Sequence, residues 1–315
     1  MKVYFKITDI VYEISGDIPS YVGSELQEYL YREEPKGKHK IYVELKAIDE
    51  FSPCSASPIY EGYGYVILKP YLEDSSWLSP EYRIYMSAYD NSPVACYMEK
   101  NDLRNAMAGI HVQHSDQDFI QADIVIEYLR STESVMNMNF MEYLSIDRQL
   151  ACEKAFILHS CYIEHEGEAI IFTAPSGTGK STQGSLWADY ADARVINGDR
   201  AILKLEENHS CRAYGLPFCG SSSINHHSSA HVKAIVFLAQ GPDNQIRDTI
   251  SLDLLRRLMA QTTYSIWTSE STAQVLDIFD HIFKTVPVLE YACTPDRKAV
   301  DTLRAYLSQY PRQIS

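Results

Sequence analysis

Ile170-Ile171-Phe172-Thr173-Ala174-Pro175-Ser176-Gly177-Thr178-Gly179-Lys180-Ser181-Thr182 is an apolar run that breaks into a glycine-rich loop and ends in Gly-Lys-Ser-Thr. Read as a strand, a loop and the head of a helix, it aims backbone N–H groups and the positive end of a helix dipole at one spot. That geometry holds a polyphosphate. Gly177 and Gly179 let the backbone curl around the anion without a Cβ clash. Lys180 is placed to reach the β- and γ-phosphates, and the Ser181 hydroxyl to ligate the magnesium that bridges them. The stretch therefore predicts ATP and Mg2+ as ligands, with Ser176, Gly177, Thr178, Gly179, Lys180, Ser181 and Thr182 in contact with the phosphates. The usual pattern opens with glycine five residues before its Gly-Lys pair, and here that residue is Ala174.

Working outward, the next segment, Gln183 to Tyr190, reads as an amphipathic helix. Beyond it Ala193-Arg194-Val195-Ile196-Asn197-Gly198-Asp199-Arg200 ends a strand in an acid. A carboxylate there serves either as a magnesium ligand or as the base beside a γ-phosphate. Upstream, His159 lies in Leu158-His159-Ser160 on the strand preceding the loop strand, where an imidazole is the second candidate to take a proton from an attacking hydroxyl. Catalytic candidates are thus Asp199, His159 and Lys180, and metal candidates are Ser181 and Asp199.

Organisation changes near residue 150. Before it, short alternating strands are expected over Val3 to Ile7, Lys40 to Leu45, Gly62 to Leu68, Tyr82 to Ser87 and Ala122 to Tyr128, separated by turns rich in Pro, Gly, Ser and Asp. The pattern predicts an antiparallel, β-rich half. A helix is expected over Asn139 to Glu153, then a strand over Ala155 to Ile163. After the loop come a helix at Lys180 to Ala191, a strand ending at Asn197, a hairpin around Glu206 to Ser210 and a strand over Val232 to Leu238. The remainder reads as helices near Leu252 to Ala260 and Thr272 to Lys284, a strand over Val288 to Ala292 and a closing helix from Asp296 to Leu307. The division is into residues 1–150, a recognition or assembly domain, and 151–315, the nucleotide-binding domain.

Composition narrows the function. At 315 residues the chain has length for about two domains. No uncharged apolar run approaches the roughly 18 residues that span a bilayer, and Met1 to Lys6 lacks the apolar core of a signal peptide. The expectation is a cytoplasmic protein without membrane contact, and seven cysteines at scattered spacings fit reduced thiols. A formal charge of −14 argues against a nucleic-acid binder and mildly favours a neutral or basic polypeptide partner. His226, His227 and His231 with Cys211 and Cys219 carry donors for zinc but no paired-ligand spacing. Gly220 to His227 reads as a mobile loop that could close over an acceptor. Arg256, Arg257 and the Gln261-Thr262-Thr263 segment are further polar groups near the core.

Two blocks carry a resemblance to a known family. His159-Ser160-Cys161-Tyr162-Ile163-Glu164-His165-Glu166-Gly167-Glu168-Ala169 followed by the loop, and Ile196-Asn197-Gly198-Asp199-Arg200, resemble the HPr kinase/phosphorylases, whose core is akin to that of phosphoenolpyruvate carboxykinases. Tyr214-Gly215-Leu216-Pro217-Phe218 and Cys293-Thr294-Pro295-Asp296 resemble shorter bacterial relatives, some of which phosphorylate precursor peptides. The resemblance spans about residues 155 to 300. It implies an α/β fold with a P-loop kinase core, preceded here by the β-rich α+β domain. It also implies ATP- and magnesium-dependent transfer of the γ-phosphoryl group to a Ser or Thr hydroxyl of a protein or peptide, by a homo-oligomer. Gly198 stands where the family has the first acid of an adjacent pair. That leaves Asp199 either as base, with Ser181 and the phosphates holding magnesium, or as metal ligand with His159 taking the proton; the former is favoured. The family's Arg-Gly-Leu-Gly-Ile-Ile-Asn segment is absent from the sequence. A carboxykinase-like small-molecule enzyme and a nucleotide-binding switch or scaffold are the alternatives.

Overall fold

The computed structural model describes residues 2–49, 60–63, 81–86, 93–98, 109–114, 123–130, 135–136, 140–144, 146–248, 251–263 and 269–311. The chain is a mixed α/β protein whose contacts divide it into two compact units, residues 1–149 and 150–315.

The first unit is built on strands β1 (Val3–Ile7), β2 (Ile10–Gly16), β3 (Leu30–Tyr31), β4 (His39–Ile48), β5 (Tyr60–Tyr63), β6 (Glu81–Met86), β7 (Pro93–Met98), β8 (Gly109–His114) and β9 (Ile124–Leu129). They form one sheet in the order β3-β1-β2-β4-β9-β8-β7-β6-β5. The alternation of Ile41, Val43 and Leu45 with Tyr42 and Glu44 sends one set of side chains inward and the other outward. The same inner face takes Phe5, Tyr12 and Ile14, and Phe140 meets Phe5 edge-on at 5.9 Å. On the outer face Glu13 is buried beneath the ammonium groups of Lys2 and Lys40.

Three expectations for this half need correction. The sheet is not antiparallel throughout, because β2 pairs with β4 and β4 with β9 in parallel. Parallel neighbours need long crossovers and leave no local hairpin signal. Second, β2, β3, β7 and β8 were absent from the expected strands; the Ile10-Val11-Tyr12-Glu13-Ile14 run of β2 alternates only weakly, since both of its faces are covered. Third, the helix expected over Asn139 to Glu153 is two, α1 (Phe140–Tyr143) and α2 (Ile146–Cys152), the second restarting with Asp147 in its first turn. The expected strand at Gly62 lies outside the described residues beyond Tyr63.

The second unit carries β10 (Ala155–His165), β11 (Glu168–Thr173), α3 (Lys180–Ala191), β12 (Arg194–Asn197), β13 (Arg200–Leu205), β14 (Cys211–Tyr214), β15 (Ser229–Gln240), β16 (Gln245–Arg247), α4 (Leu252–Met259), β17 (Thr262–Thr263), α5 (Ser269–Thr285), β18 (Val288–Cys293) and α6 (Arg297–Leu307). The sheet runs β11-β10-β13-β14-β15-β18-β16, and β11 also pairs in parallel with β15, closing a ring of five strands. Strand β10 is its hub, pairing with β11, β12, β13 and β17. Glu166 and Gly167 turn the β10–β11 hairpin with φ of 52° and 81°, the mirror-image turn that suits the twist of a two-residue hairpin.

Helix α3 packs on β10, β11 and β12 and against α6 around the fully buried Trp187. It is not the amphipathic helix expected. Its buried face is Lys180, Gln183, Gly184, Trp187 and Ala191, a polar and small-residue face with one large anchor. Gly184 permits this approach, since a Cβ there would lie 2.6 Å from Cys161 Sγ. Asp296 caps α6 by accepting from Ala299 N. Among the described residues no helix is long and apolar enough to cross a membrane.

Candidate functional site

The glycine loop runs from the end of β11 into α3. Gly177 and Gly179 have φ of 78° and 116°, in the left-handed region, and nothing lies within 4 Å of where a Cβ would stand on either. The space beside both is open, and it is the positive φ that calls for glycine there. Gln183 N bonding to Gly179 O opens the helical ladder, so the N–H groups before it have no helical carbonyl to reach. Ala174, the departure from the usual loop pattern, is completely buried in the core cluster with Trp187, where its methyl group packs. Ser176, Ser181 and Thr182 are exposed.

Lys180 turns inward. Its Nζ donates to Ala174 O at 2.9 Å and Pro175 O at 3.3 Å, folding the ammonium onto the loop it belongs to. It is only 7% exposed. Burial pulls its pKa down from 10.5 to about 8, opposed by the nearby Asp199 and Cys161.

Three further elements meet beside it. The β10–β11 register sets Ser160 opposite Thr173, the last residue before the loop, and Thr173 Oγ1 donates to His159 O at 2.8 Å. Ser160 N donates to Asp199 O at 2.8 Å. His159 N donates to Gln261 O at 2.8 Å, while its Nδ1 lies 3.0 Å from Gln261 Oε1. His159 Nε2 is 3.8 Å from Asp199 Oδ1, and Arg200 Nε donates to Asp199 Oδ2 at 3.2 Å. Burial and then Lys180 hold the His159 pKa below its usual range, against the pull of Asp199. The imidazole is neutral near pH 7.

The acid-bearing turn is held by Asn197, which ties it to backbone far along the chain. Asn197, completely buried, accepts from Asp199 N and Arg200 N through Oδ1, and donates through Nδ2 to Leu216 O and Phe218 O at 2.8 Å each. The Phe218 ring lies under the Arg200 guanidinium at 3.8 Å. Tyr214-Gly215-Leu216-Pro217-Phe218 thus supports the acid-bearing turn. Asn197, Arg200, Phe218 and Gln261 were not among the expected site residues; the contacts that tie Asn197 to Leu216 and Phe218, Arg200 to Phe218 and Gln261 to His159 join positions distant in sequence. The one available signal was the polar Gln-Thr-Thr after an apolar helix.

The segment Gly220 to His227 is not a free lid. Gly198 N bonds Ile224 O, His226 N bonds Ile196 O at 2.8 Å, and Gly220 packs so that a Cβ on it would lie 2.7 Å from Asp199 Oδ1. A Cβ on Gly198 would come within 2.5 Å of Ser222 Cβ. Ser222 therefore leaves no room for a side chain at position 198. Arg257 is likewise engaged, by Glu290 and Asp253, over the Phe237 ring, rather than free for phosphate.

Lys180, His159 and Asp199 are thus brought together, whereas Ser181 sits on the exposed first turn of α3. Among the described residues no group of three or more His, Cys, Asp or Glu side chains is arranged for a metal ion. A hydroxyl and one carboxylate are hard oxygen donors of the kind magnesium takes alongside water and phosphate. The open cradle at Gly177 and Gly179 also has room for a phosphate chain. Beside it lies a cavity of about 310 Å³ lined by Thr178, Thr182, Gln183, Leu238 and Thr294. Its wall is braced by Gln183 Nε2, which donates to Cys293 Sγ and Thr294 O, and by Asn244 Oδ1, which accepts from Thr294 N at 3.0 Å.

No family model matches the chain, and no curated protein matches it. Among solved structures it is similar to the Hpr(Ser) kinase/phosphatase from Coxiella burnetii, with 10% identity over 48% of this chain and 98% of that one and a TM-score of 0.27. A likeness of that size carries no functional weight, and the function is argued from the residues.

Proposed function

We propose that this chain is an ATP- and magnesium-dependent phosphotransferase that moves a γ-phosphoryl group to a hydroxyl, the acceptor being a Ser or Thr of a protein or peptide. The observation that carries the reading is one convergence. A glycine-cradled loop ends in a buried lysine, and that lysine shares its surroundings with Asp199 and His159. Phosphoryl transfer asks for little else from a protein: positioning, positive charge at the phosphates, and a group to take the hydroxyl proton.

In this reading Gly177, Gly179 and the first N–H groups of α3 hold the phosphates, with Ser176, Thr178 and Thr182 beside them. Lys180 swings from its own loop carbonyls onto the phosphate oxygens. The nucleoside occupies the cavity braced by Gln183 and Thr294. Ser181, with or without Asp199, would hold magnesium, which when bound neutralises charge on the β- and γ-oxygens. The proton goes to Asp199 or, if Asp199 is on the metal, to His159. The P-loop kinase core of HPr kinase type, the recognition or assembly role of the N-terminal unit, a homo-oligomeric state and a cytoplasmic location belong to the same proposal.

The test is transfer of labelled γ-phosphate from ATP–Mg2+ to Ser- or Thr-containing polypeptides of the same cell, with calorimetric titration of ATP–Mg2+ alongside. Lys180→Ala is expected to abolish transfer and greatly weaken binding. Wild-type affinity in that variant would sink the assignment of the loop. Oxaloacetate-dependent release of carbon dioxide would establish the carboxykinase-like alternative, and tight ATP binding without any transfer the switch.

A further inference from the structure

We infer that Gln261 is a positioning residue that fixes His159 as its Nδ1–H tautomer, leaving Nε2 as an acceptor facing Asp199 so that His159, rather than Asp199, receives the hydroxyl proton. The inference deepens the proposed phosphotransfer and rests on it.

The argument is geometric. The two nitrogens of a neutral imidazole differ, and the proton sits on the one that has an acceptor. At 3.0 Å the Nδ1–Gln261 Oε1 contact is a hydrogen bond, whereas the 3.8 Å between Nε2 and Asp199 Oδ1 is not. Gln261 is itself fixed. It is only 6% exposed, follows α4 with its N–H bonded to Leu258 O at 2.9 Å, and gives its carbonyl to His159 N. Backbone and side chain of one glutamine thus grip backbone and ring of one histidine, which sets both the height and the rotation of the imidazole. Thr262 and Thr263 continue as β17 against Leu158 and Ile157, anchoring the grip to the hub strand.

Asp199 is the more engaged of the two acceptors, although its side chain is the more exposed, 24% against 13%. Its Oδ2 already takes the Arg200 guanidinium, its backbone is pinned through Asn197 and Ser160, and Gly220 closes over Oδ1. Nε2 has a lone pair and no hydrogen-bonded partner among the described residues. A hydroxyl entering beside it donates there. As its oxygen pair forms the bond to the γ-phosphorus, the bond from that phosphorus to the bridging oxygen breaks, and its electron pair leaves with ADP. The O–H proton passes to Nε2. The resulting imidazolium keeps Nδ1–H on Gln261 and stands beside the Asp199 carboxylate, which stabilises the new charge.

The experiment is a long-range nitrogen–proton correlation spectrum of the full chain labelled with 15N-histidine, with His159 assigned by its loss in His159→Gln. The wild type should carry its proton on Nδ1 and a bare Nε2 at pH 8. Gln261→Glu, which keeps the acceptor, should retain the proton on Nδ1. Gln261→Leu should move it to Nε2 and lower kcat roughly 10- to 100-fold with the KM for ATP changed less than about twofold. A wild-type spectrum with the proton on Nε2 overturns the inference, and so does an unchanged tautomer in Gln261→Leu. Should Gln261→Leu not fold, the wild-type and Gln261→Glu spectra decide alone. Should no hydroxyl accept phosphate, the kinase reading falls while the spectrum still reports on Gln261, so the two failures are separate.

Discussion

A single lysine sets the sign of the pH response. With its pKa lowered to about 8 against an ordinary 10.5, Lys180 in the fold gives up its proton before the unfolded chain does. Between those values the unfolded state binds more protons, so stability rises with pH and is lost again as pH falls toward 8. The nucleotide-free protein should therefore gain up to about 3 kcal/mol from this group across that window. Urea melts at pH 7.5, 8.5 and 9.5 measure it, and Lys180→Met should flatten that part of the slope. Asp199→Asn should weaken magnesium-dependent ATP binding and turnover together. If turnover alone falls, by roughly 10²- to 10⁴-fold, Asp199 is the proton acceptor and His159 is not. The loop lysine and the strand-end acid were legible because each belongs to a short local pattern. Gln261 was not, since its partner lies 102 positions away and only the return of β17 to β10 joins them.

At the scale of elements, the helix following the loop was legible to its ends, Lys180 and Ala191, although not for the reason first given. What seats it is the absence of a side chain at Gly184, above Cys161. Gly184→Ala should destabilise the protein by about 1–3 kcal/mol by overpacking. Adding Cys161→Ala should recover part of that loss, and non-additivity in denaturant melts is the measure. Most strands of the second unit were readable from hairpins and apolar runs, whereas the short β16 and β17 and the parallel β2–β4–β9 pairing were not. Antiparallel neighbours announce themselves by the turn between them, and parallel ones are joined by chain that says nothing about register.

For the whole molecule, charge is the property that a partner meets first. A chain carrying −14 attracts cationic polypeptides from a distance, and salt screens that attraction. If a peptide is the acceptor, the KM for a basic one should rise several-fold between about 0.05 and 0.5 M salt. The KM for a neutral one should barely move; equal salt sensitivity of the two would place recognition in contacts other than charge.

The serine seated against Gly198 also constrains how this site can change. Gly198→Asp alone meets Ser222, a partly exposed side chain whose removal would open room for it. The first change loses on its own and stands to be rescued by the second. The two positions are therefore epistatic, and a library that varies them one at a time will record Gly198 as intolerant while missing the acid that Ser222→Gly would admit beside Asp199.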